Sequence, residues 1–283
     1  MFPDHLQLRR TLPGMDVVQL LVFAVIGVLA GSVGGLLGIG GSTIFIPAAT
    51  LFFGEDQQAY QAAAMILNAF VAITATIKHS RNGLVRKRLV IPMGIAASLL
   101  VLVGVALSNR LESATLARLF GVLLLAIAAN EIRLLVRGRP SDEPTAEKID
   151  ESGIGRSPGL LPIGAAMGFM GGLLGIGGGT IGVPLLKVAG RLPLRLSIAN
   201  AAAVTVPLAI IGAVYKNLTL PTLPGYADGT ATHALQIAAA LIPGAIVGSW
   251  LGAELVHRLP LLAIRISFLC LLLFAGTRML GLH

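Results

Sequence analysis

Gly34-Gly35-Leu36-Leu37-Gly38-Ile39-Gly40-Gly41-Ser42-Thr43-Ile44-Phe45-Ile46-Pro47 is written again as Gly171-Gly172-Leu173-Leu174-Gly175-Ile176-Gly177-Gly178-Gly179-Thr180-Ile181-Gly182-Val183-Pro184. Aligned from Gly31 to Pro47 against Gly168 to Pro184, 12 of 17 positions are identical. A glycine cluster inside apolar sequence, repeated at full length, is not loop composition. It predicts two copies of one unit, each with a helix interrupted at the same place.

The surrounding composition names the solvent. Of the 283 residues 55% are hydrophobic and 12% charged, with mean hydropathy +0.86; soluble domains carry about 25% charged residues. Apolar runs of about 18 residues or more recur, each able to cross roughly 30 Å of hydrocarbon. The chain therefore reads as an all-α polytopic membrane protein whose partner is the lipid bilayer. The net charge of +8 does not imply nucleic acid, because the basic residues fall in short loops between apolar spans and aromatic residues are only 5%. The lone cysteine, Cys270, lies in the last apolar span and can make no internal disulfide. No His/Cys spacing suggests a metal, and no cofactor is implied.

Outward from the motifs, the chain divides into an N-terminal transmembrane repeat (1–136), a polar cytoplasmic linker (137–158) and a C-terminal transmembrane repeat (159–283). Eight long spans are expected near 16–37, 58–77, 89–107, 114–136, 159–174, 196–215, 234–256 and 261–280. Two short helices are expected at about 42–53 and 180–188, and a Pro/Gly-rich connection at 216–232. The segment before residue 15, with Arg9-Arg10, precedes an apolar stretch too long for a signal sequence. The basic loop at 78–88 is placed in the cytoplasm, which makes this a multi-pass protein of the inner (plasma) membrane. Two arrangements remain open. The short helices either re-enter, with the halves parallel, or cross, with the halves inverted.

Non-helical backbone survives at membrane depth only when buried in protein or lining a wet cavity. Ser42-Thr43 and Gly179-Thr180 stand where caps of new helices would fall. Helix starts present unpaired N–H groups and the positive dipole end, which together form an anion site without a charged side chain. Pro47 and Pro184 are read as lying close enough to these starts to be tolerated. The candidate substrate-binding residues are Gly40, Gly41, Ser42 and Thr43 in the first copy and Gly177, Gly178, Gly179 and Thr180 in the second. Asn68 and Asn200, amides within apolar helices, are possible assistants. The competing explanation is that the glycines only let helices pack closely.

The paired motifs resemble the glycine-rich signatures of the sulfite exporter TauE/SafE family, and the likeness extends over nearly the whole chain. It implies transport of sulfur-bearing oxyanions such as sulfite, sulfonates or sulfoacetate across the inner membrane. The family's short Thr-Ser pair after each motif is replaced here by Ala63-Ala64-Met65-Ile66-Leu67-Asn68 and Ile198-Ala199-Asn200-Ala201. The expected function is secondary transport, as an exporter, of a small sulfur-containing anion. An anion channel using the same helix ends is the alternative, and a homo-oligomer is compatible with either.

Other polar residues carry less. Lys78, His79 and Lys216 at span ends read as snorkelling anchors. Glu131, Arg133 and Glu254 read as markers of the membrane interface. No acidic pair lies mid-membrane, which disfavours a carboxylate-based cation pump. Catalysis is not expected: Ser42 and Ser98 are available as nucleophiles, but His233 and His257 lie near predicted span ends, and no GxSxG occurs.

Overall fold

Helix formation follows the apolar runs, and the helix ends follow the glycines. A computed structural model describes residues 17–54, 56–136, 159–190, 192–226, 230–258 and 260–281. Arg9-Arg10 and the 137–158 linker lie outside the described residues. Within them the secondary structure is all helical: α1 (Val17–Leu37), α2 (Ser42–Phe53), α3 (Gln57–Arg81), α4 (Lys87–Ser108), α5 (Ser113–Val136), α6 (Leu160–Leu174), α7 (Gly179–Val188), α8 (Leu194–Thr219), α9 (Thr230–Arg258) and α10 (Leu261–Met279). Both expected interruptions are present. Gly38 (φ 67°) and Gly40 (φ 82°) separate α1 from α2, and Gly175 (φ 71°) and Gly177 (φ 65°) separate α6 from α7. This left-handed backbone is strained for any side chain and ends an α-helix at once.

Three expectations about the helices change. Six helices are long and apolar enough to span a membrane: α1, α3, α4, α5, α8 and α9. The count of eight is not reached among the described residues. α6 has 15 residues, about 22 Å of helix. The connection expected at 216–232 is much shorter. α8 runs on to Thr219 and into a 3-10 turn at Leu220–Thr222, and α9 begins at Thr230.

Third, of the two topologies left open by the charge pattern, the helix directions fit inverted halves and not parallel ones. α2 turns back along α1, so that Phe53 stacks on Phe23 with ring centroids 4.7 Å apart. α7 turns back along α6, with Gly178 and Gly182 both against Met167. Yet α3 and α8 run in opposite senses: the end of α8 reaches the start of α3, where Lys216 donates to Gln58 and Asn217 Nδ2 donates to the Ala62 carbonyl at 3.3 Å. Parallel halves would require α3 and α8 to run the same way, which these contacts exclude. α1 is the first arm of a helical hairpin whose tip is the glycine break.

Lipid is as apolar as leucine, so helices here associate through close backbone approach. α1 carries Gly27, Gly31 and Gly35 on one stripe, and α9 carries Gly244, Gly248 and Gly252. A Cβ on Gly27, Gly31 or Gly35 would overlap the carbonyl oxygen of Leu241, Ala245 or Ser249 in turn. A Cβ on Gly248 or Gly252 would overlap that of Val28 or Ser32. The second half uses Gly164, Gly168 and Gly172 of α6, whose Cβ atoms would overlap the carbonyls of Met93, Ala97 and Val101 of α4. α4 therefore buries Met93, Ala97, Val101 and Val105 and turns Ile91, Ile95, Leu99 and Val103 outward. Apolar residues on both faces mark a helix between protein and lipid.

The packing yields a test. Gly168→Val should destabilise the protein by on the order of 2–4 kcal/mol, read as a lower detergent-solubilised melting temperature and loss of the monodisperse peak. Gly94→Ala, whose Cβ would meet Pro207 Cγ at an ordinary 3.6 Å, should leave both unchanged.

Candidate functional site

The two breaks meet inside the bundle. Ser42, Thr43, Thr180 and Asn68 are all buried, as are Gly38 to Gly41 and Gly175 to Gly179. The Thr43 and Thr180 hydroxyls lie 3.3 Å apart across the junction. Thr180 Oγ1 is 3.3 Å from the Ile39 carbonyl and 3.4 Å from that of Ile176, so it can donate to either break. Gly179 packs directly on Gly38; a Cβ there would overlap the Gly38 carbonyl oxygen. Only glycine at 179 lets the two tips touch backbone to backbone.

Asn68, midway along α3, serves both tips. Its Oδ1 accepts from the Ser42 N–H at 3.1 Å, and its Nδ2 lies 3.0 Å from Ser42 Oγ and 3.1 Å from the Gly175 carbonyl. This amide is a cap supplied by a different helix. Ser42 and Thr43 were expected to cap α2 themselves, and Gly179 and Thr180 to cap α7. The structure corrects that: the cap positions are Gly41 and Gly178, neither with a side-chain cap bond, and Ser42 and Gly179 are the first helical residues. A residue already inside the helix points its hydroxyl away from its own N–H groups, so the first copy recruits Asn68. The second copy has no such partner. Among the described residues, the N–H groups of Gly41, Gly178 and Gly179 donate no hydrogen bond to protein.

The prolines are also corrected. Pro47 and Pro184 are each the sixth residue of their helix, past the turn in which a missing N–H is harmless. Each therefore removes the donor that would have met the carbonyl four residues earlier, Thr43 or Thr180. The junction thus offers carbonyl and hydroxyl acceptors beside amide donors, all at membrane depth.

Asn200 is not part of this junction. Its Nδ2 donates to the Leu84 and Leu196 carbonyls at 3.1 and 2.7 Å, and its Oδ1 accepts from the Arg86 N–H at 2.8 Å. It pins the 84–86 turn to the start of α8. Sequence reasoning paired the two asparagines as polar residues in apolar helices, but at the 137-residue offset of the motifs Asn68 corresponds to Thr205, not Asn200. Thr205 bonds back to the Ala201 carbonyl at 2.8 Å, so its hydroxyl is spent within its own helix.

Two further expectations are revised. Lys78 does behave as an interfacial anchor, paired with Glu254 and 5.0 Å from the Trp250 ring centre. Lys216 and His79 do not, since both are completely buried; α3 and α8 extend past the predicted span ends and carry these residues into the bundle. Glu131 is likewise inside, with Lys187 Nζ donating to it at 3.4 Å and tying α5 to α7.

Broken helical hairpins converging on a buried polar junction, within a bundle of apolar spans, define a multi-pass membrane protein of the transporter class. The comparisons agree and make it specific: the model of the sulfite exporter TauE/SafE family matches residues 23–279, and the chain belongs to that family. It is 27% identical to the probable membrane transporter protein MamO of Paramagnetospirillum magneticum over 277 residues, 87% of this chain but 42% of that protein. The chain thus spans about two fifths of MamO. It is also 27% identical to the probable membrane transporter protein MJ0441 of Methanocaldococcus jannaschii, covering 90% of this chain and 93% of that one. To the probable membrane transporter protein YunE of Bacillus subtilis it is 22% identical, covering 93% and 98%. No solved structure matches the chain.

Asn68→Ala should lower the melting temperature by an amount equivalent to about 1–3 kcal/mol, because it strands the buried Ser42 N–H and Gly175 carbonyl. Asn200→Ala should instead raise hydrogen exchange or proteolysis at 84–86 and leave exchange at the two breaks unchanged.

Proposed function

We propose that the protein is a secondary transporter, working as an exporter, of small sulfur-containing oxyanions such as sulfite or organosulfonates at the plasma membrane. The observation that supports this most directly is the second helix start. Gly178 and Gly179 present amide N–H groups at a helix N-terminus, in a buried junction, with no protein acceptor among the described residues. Such a start attracts negative charge through its unpaired donors and its dipole. Thr43 and Thr180 hydroxyls, together with Ser42 and the Asn68 amide, can complete the oxygen shell of a small oxyanion. Gly40, Gly41 and Gly177 keep the backbone close enough to reach it.

The wider architecture supports a carrier. The opposed α3 and α8, the two turned-back hairpins and the repeated motif fit two homologous halves of inverted orientation. In that arrangement substrate is held between the halves and one half rocks against the other. The relatives are named transporters, which favours a carrier over the channel alternative. Within this reading the 137–158 segment is the cytoplasmic tether of the halves.

Purified protein in liposomes should move sulfite faster than protein-free vesicles do, and the flux should saturate. Thr180→Val keeps the volume and removes the hydroxyl that bridges the breaks; it should cut sulfite flux about tenfold or more, the equivalent of one lost hydrogen bond to a charged group, while the protein stays folded and monodisperse with its stability lowered by only about 1 kcal/mol. Gly178→Val should abolish flux. Wild-type flux equal to that of empty vesicles, or Thr180→Val flux equal to wild type, refutes the assignment.

A further inference from the structure

Lys216 presents the strongest unexplained chemistry in the molecule. Among the described residues two fully charged side chains are buried, Glu131 and Lys216. Glu131 has Lys187 as its counter-ion. Lys216 has none: it is held by Gln58 Oε1, by Asn109 Oδ1 at 2.8 Å and by Ser108 Oγ at 3.2 Å. Asp56, the acid nearest in sequence to this cage, instead accepts from the Ala59 N–H at 3.2 Å and from the Tyr226 hydroxyl at 2.9 Å.

The cage is built for an ammonium. Three oxygens face three N–H bonds, and each oxygen is aimed by a donation elsewhere. Gln58 Nε2 donates to the Ser108 and Leu111 carbonyls, both at 2.9 Å. Asn109 Nδ2 donates to Thr219 Oγ1 at 2.8 Å, and Ser108 Oγ donates to Gln61 Oε1 at 2.7 Å. A neutral amine has two N–H bonds and a lone pair, and would set that lone pair against a third oxygen. Lys216 and Ser108 also lie in the last turns of α8 and α4, where the dipole favours a cation. The hydrogen bonds are thus satisfied and the charge is not neutralised. An ionised group inside a membrane protein without a partner marks a pathway for the opposite charge.

The cage is also connected to the breaks. Gln61 Nε2 reaches the Leu173 carbonyl at 3.4 Å, and Gly175 packs against the Gln61 side chain. Gly175 in turn accepts from Asn68. Gln57, on the same turn of α3, is buried with neither of its amide atoms hydrogen-bonded to protein, so a further donor stands unused beside the cage. Ten helical residues from Gln58 to Asn68 separate cage and junction by roughly 15 Å.

We propose that Lys216 is the charge-selecting residue of the transport route: a buried ammonium, held by neutral oxygens, whose field draws anions toward the broken-helix junction and weights them by charge. This rests on the anion-transport reading and adds to it the residue that discriminates among anions. The test is a sulfonate series of graded charge (taurine, net zero; isethionate, one negative; sulfoacetate, two) carried by the full chain in liposomes. Lys216→Gln should raise the half-saturating concentration about sixfold per unit of negative charge, the size expected of one charge acting over roughly 15 Å at an effective dielectric near 20, and leave that of taurine unchanged. Lys216→Arg should restore the wild-type order. Gln58→Glu, which keeps the lysine and neutralises it in place, should reproduce the loss and serves where Lys216→Gln does not fold. A uniform loss for all three compounds, or none, overturns the proposal and leaves Lys216 a structural bolt.

A second arm needs no transport. Detergent-solubilised wild type should melt higher in sodium sulfate than in sodium chloride of equal ionic strength, and Lys216→Gln should lose that difference. Loss of this contrast between wild type and variant overturns the Lys216 assignment even if sulfonates are carried. The contrast without any sulfonate or sulfite flux refutes the substrate reading and keeps Lys216 as an anion-sensing charge.

Discussion

Everything in this fold answers to the cost of an unpaired peptide group in hydrocarbon. Helices meet that cost internally, and the two places where helix stops are the places where the sequence had to find another solution. The solution is mutual. Each tip is covered by the other, through the Thr43–Thr180 contact and the Thr180 to Ile39 bond. Asn68 on α3 supplies the donor and acceptor that the tips lack. Neither hairpin could stand alone in the membrane. Their convergence is a condition for burying them, and the proposed binding site is what the incomplete remainder of that convergence leaves available.

Glycine performs two separate tasks here, and the distinction decides how the motif should be read. Gly31, Gly35, Gly168 and Gly172 are helical and owe their identity to a neighbouring carbonyl that no Cβ could share. Gly38, Gly40, Gly175 and Gly177 owe theirs to positive φ. The close-packing explanation and the broken-helix explanation, posed as rivals for one stretch, are both correct for different residues within it. The first set brings α1 to α9 and α6 to α4, which fixes the hairpin arms. The second set sets where the arms end. Packing therefore positions the chemistry.

The sequence carried the breaks clearly because left-handed glycine and a sudden stop in periodicity are local signals; every helix begins within about four residues of its expected start. Other features were not legible because they are relations between distant residues. Asn68 reads as one of several amides in apolar helices, and nothing local distinguishes its capping of Ser42, 26 positions away, from the turn-pinning of Asn200. Lys216 was taken for an anchor because span prediction ended α8 four residues early. Polarity lowers a hydropathy average whether it faces headgroups or a buried cage. A sharper signal existed in the offset of 137 residues, which sets Lys216 against His79 and Gln58 against Arg195. Basic or hydrogen-bonding residues at the same place in both copies are poor candidates for incidental surface charge.

That offset also separates what the two copies share from what they do not. The backbone features recur in both copies: positive-φ glycines, a cap-position glycine, threonine after the break, proline at the sixth helical position. The side chains that touch them do not. Asn68 finds no amide counterpart at Thr205, so the first helix start is capped by protein while the second keeps open donors. Lys216, held by uncharged oxygens, stands at one end of the α3–α8 pair, and His79 and Arg195 stand at the other. In the proposed carrier, one helix start capped by Asn68 and one that keeps open donors give the site different affinities from its two sides. In a carrier whose halves rock about a common centre, that inequality is set by a handful of side chains and not by the fold, so the same frame can serve different anions and different directions of transport.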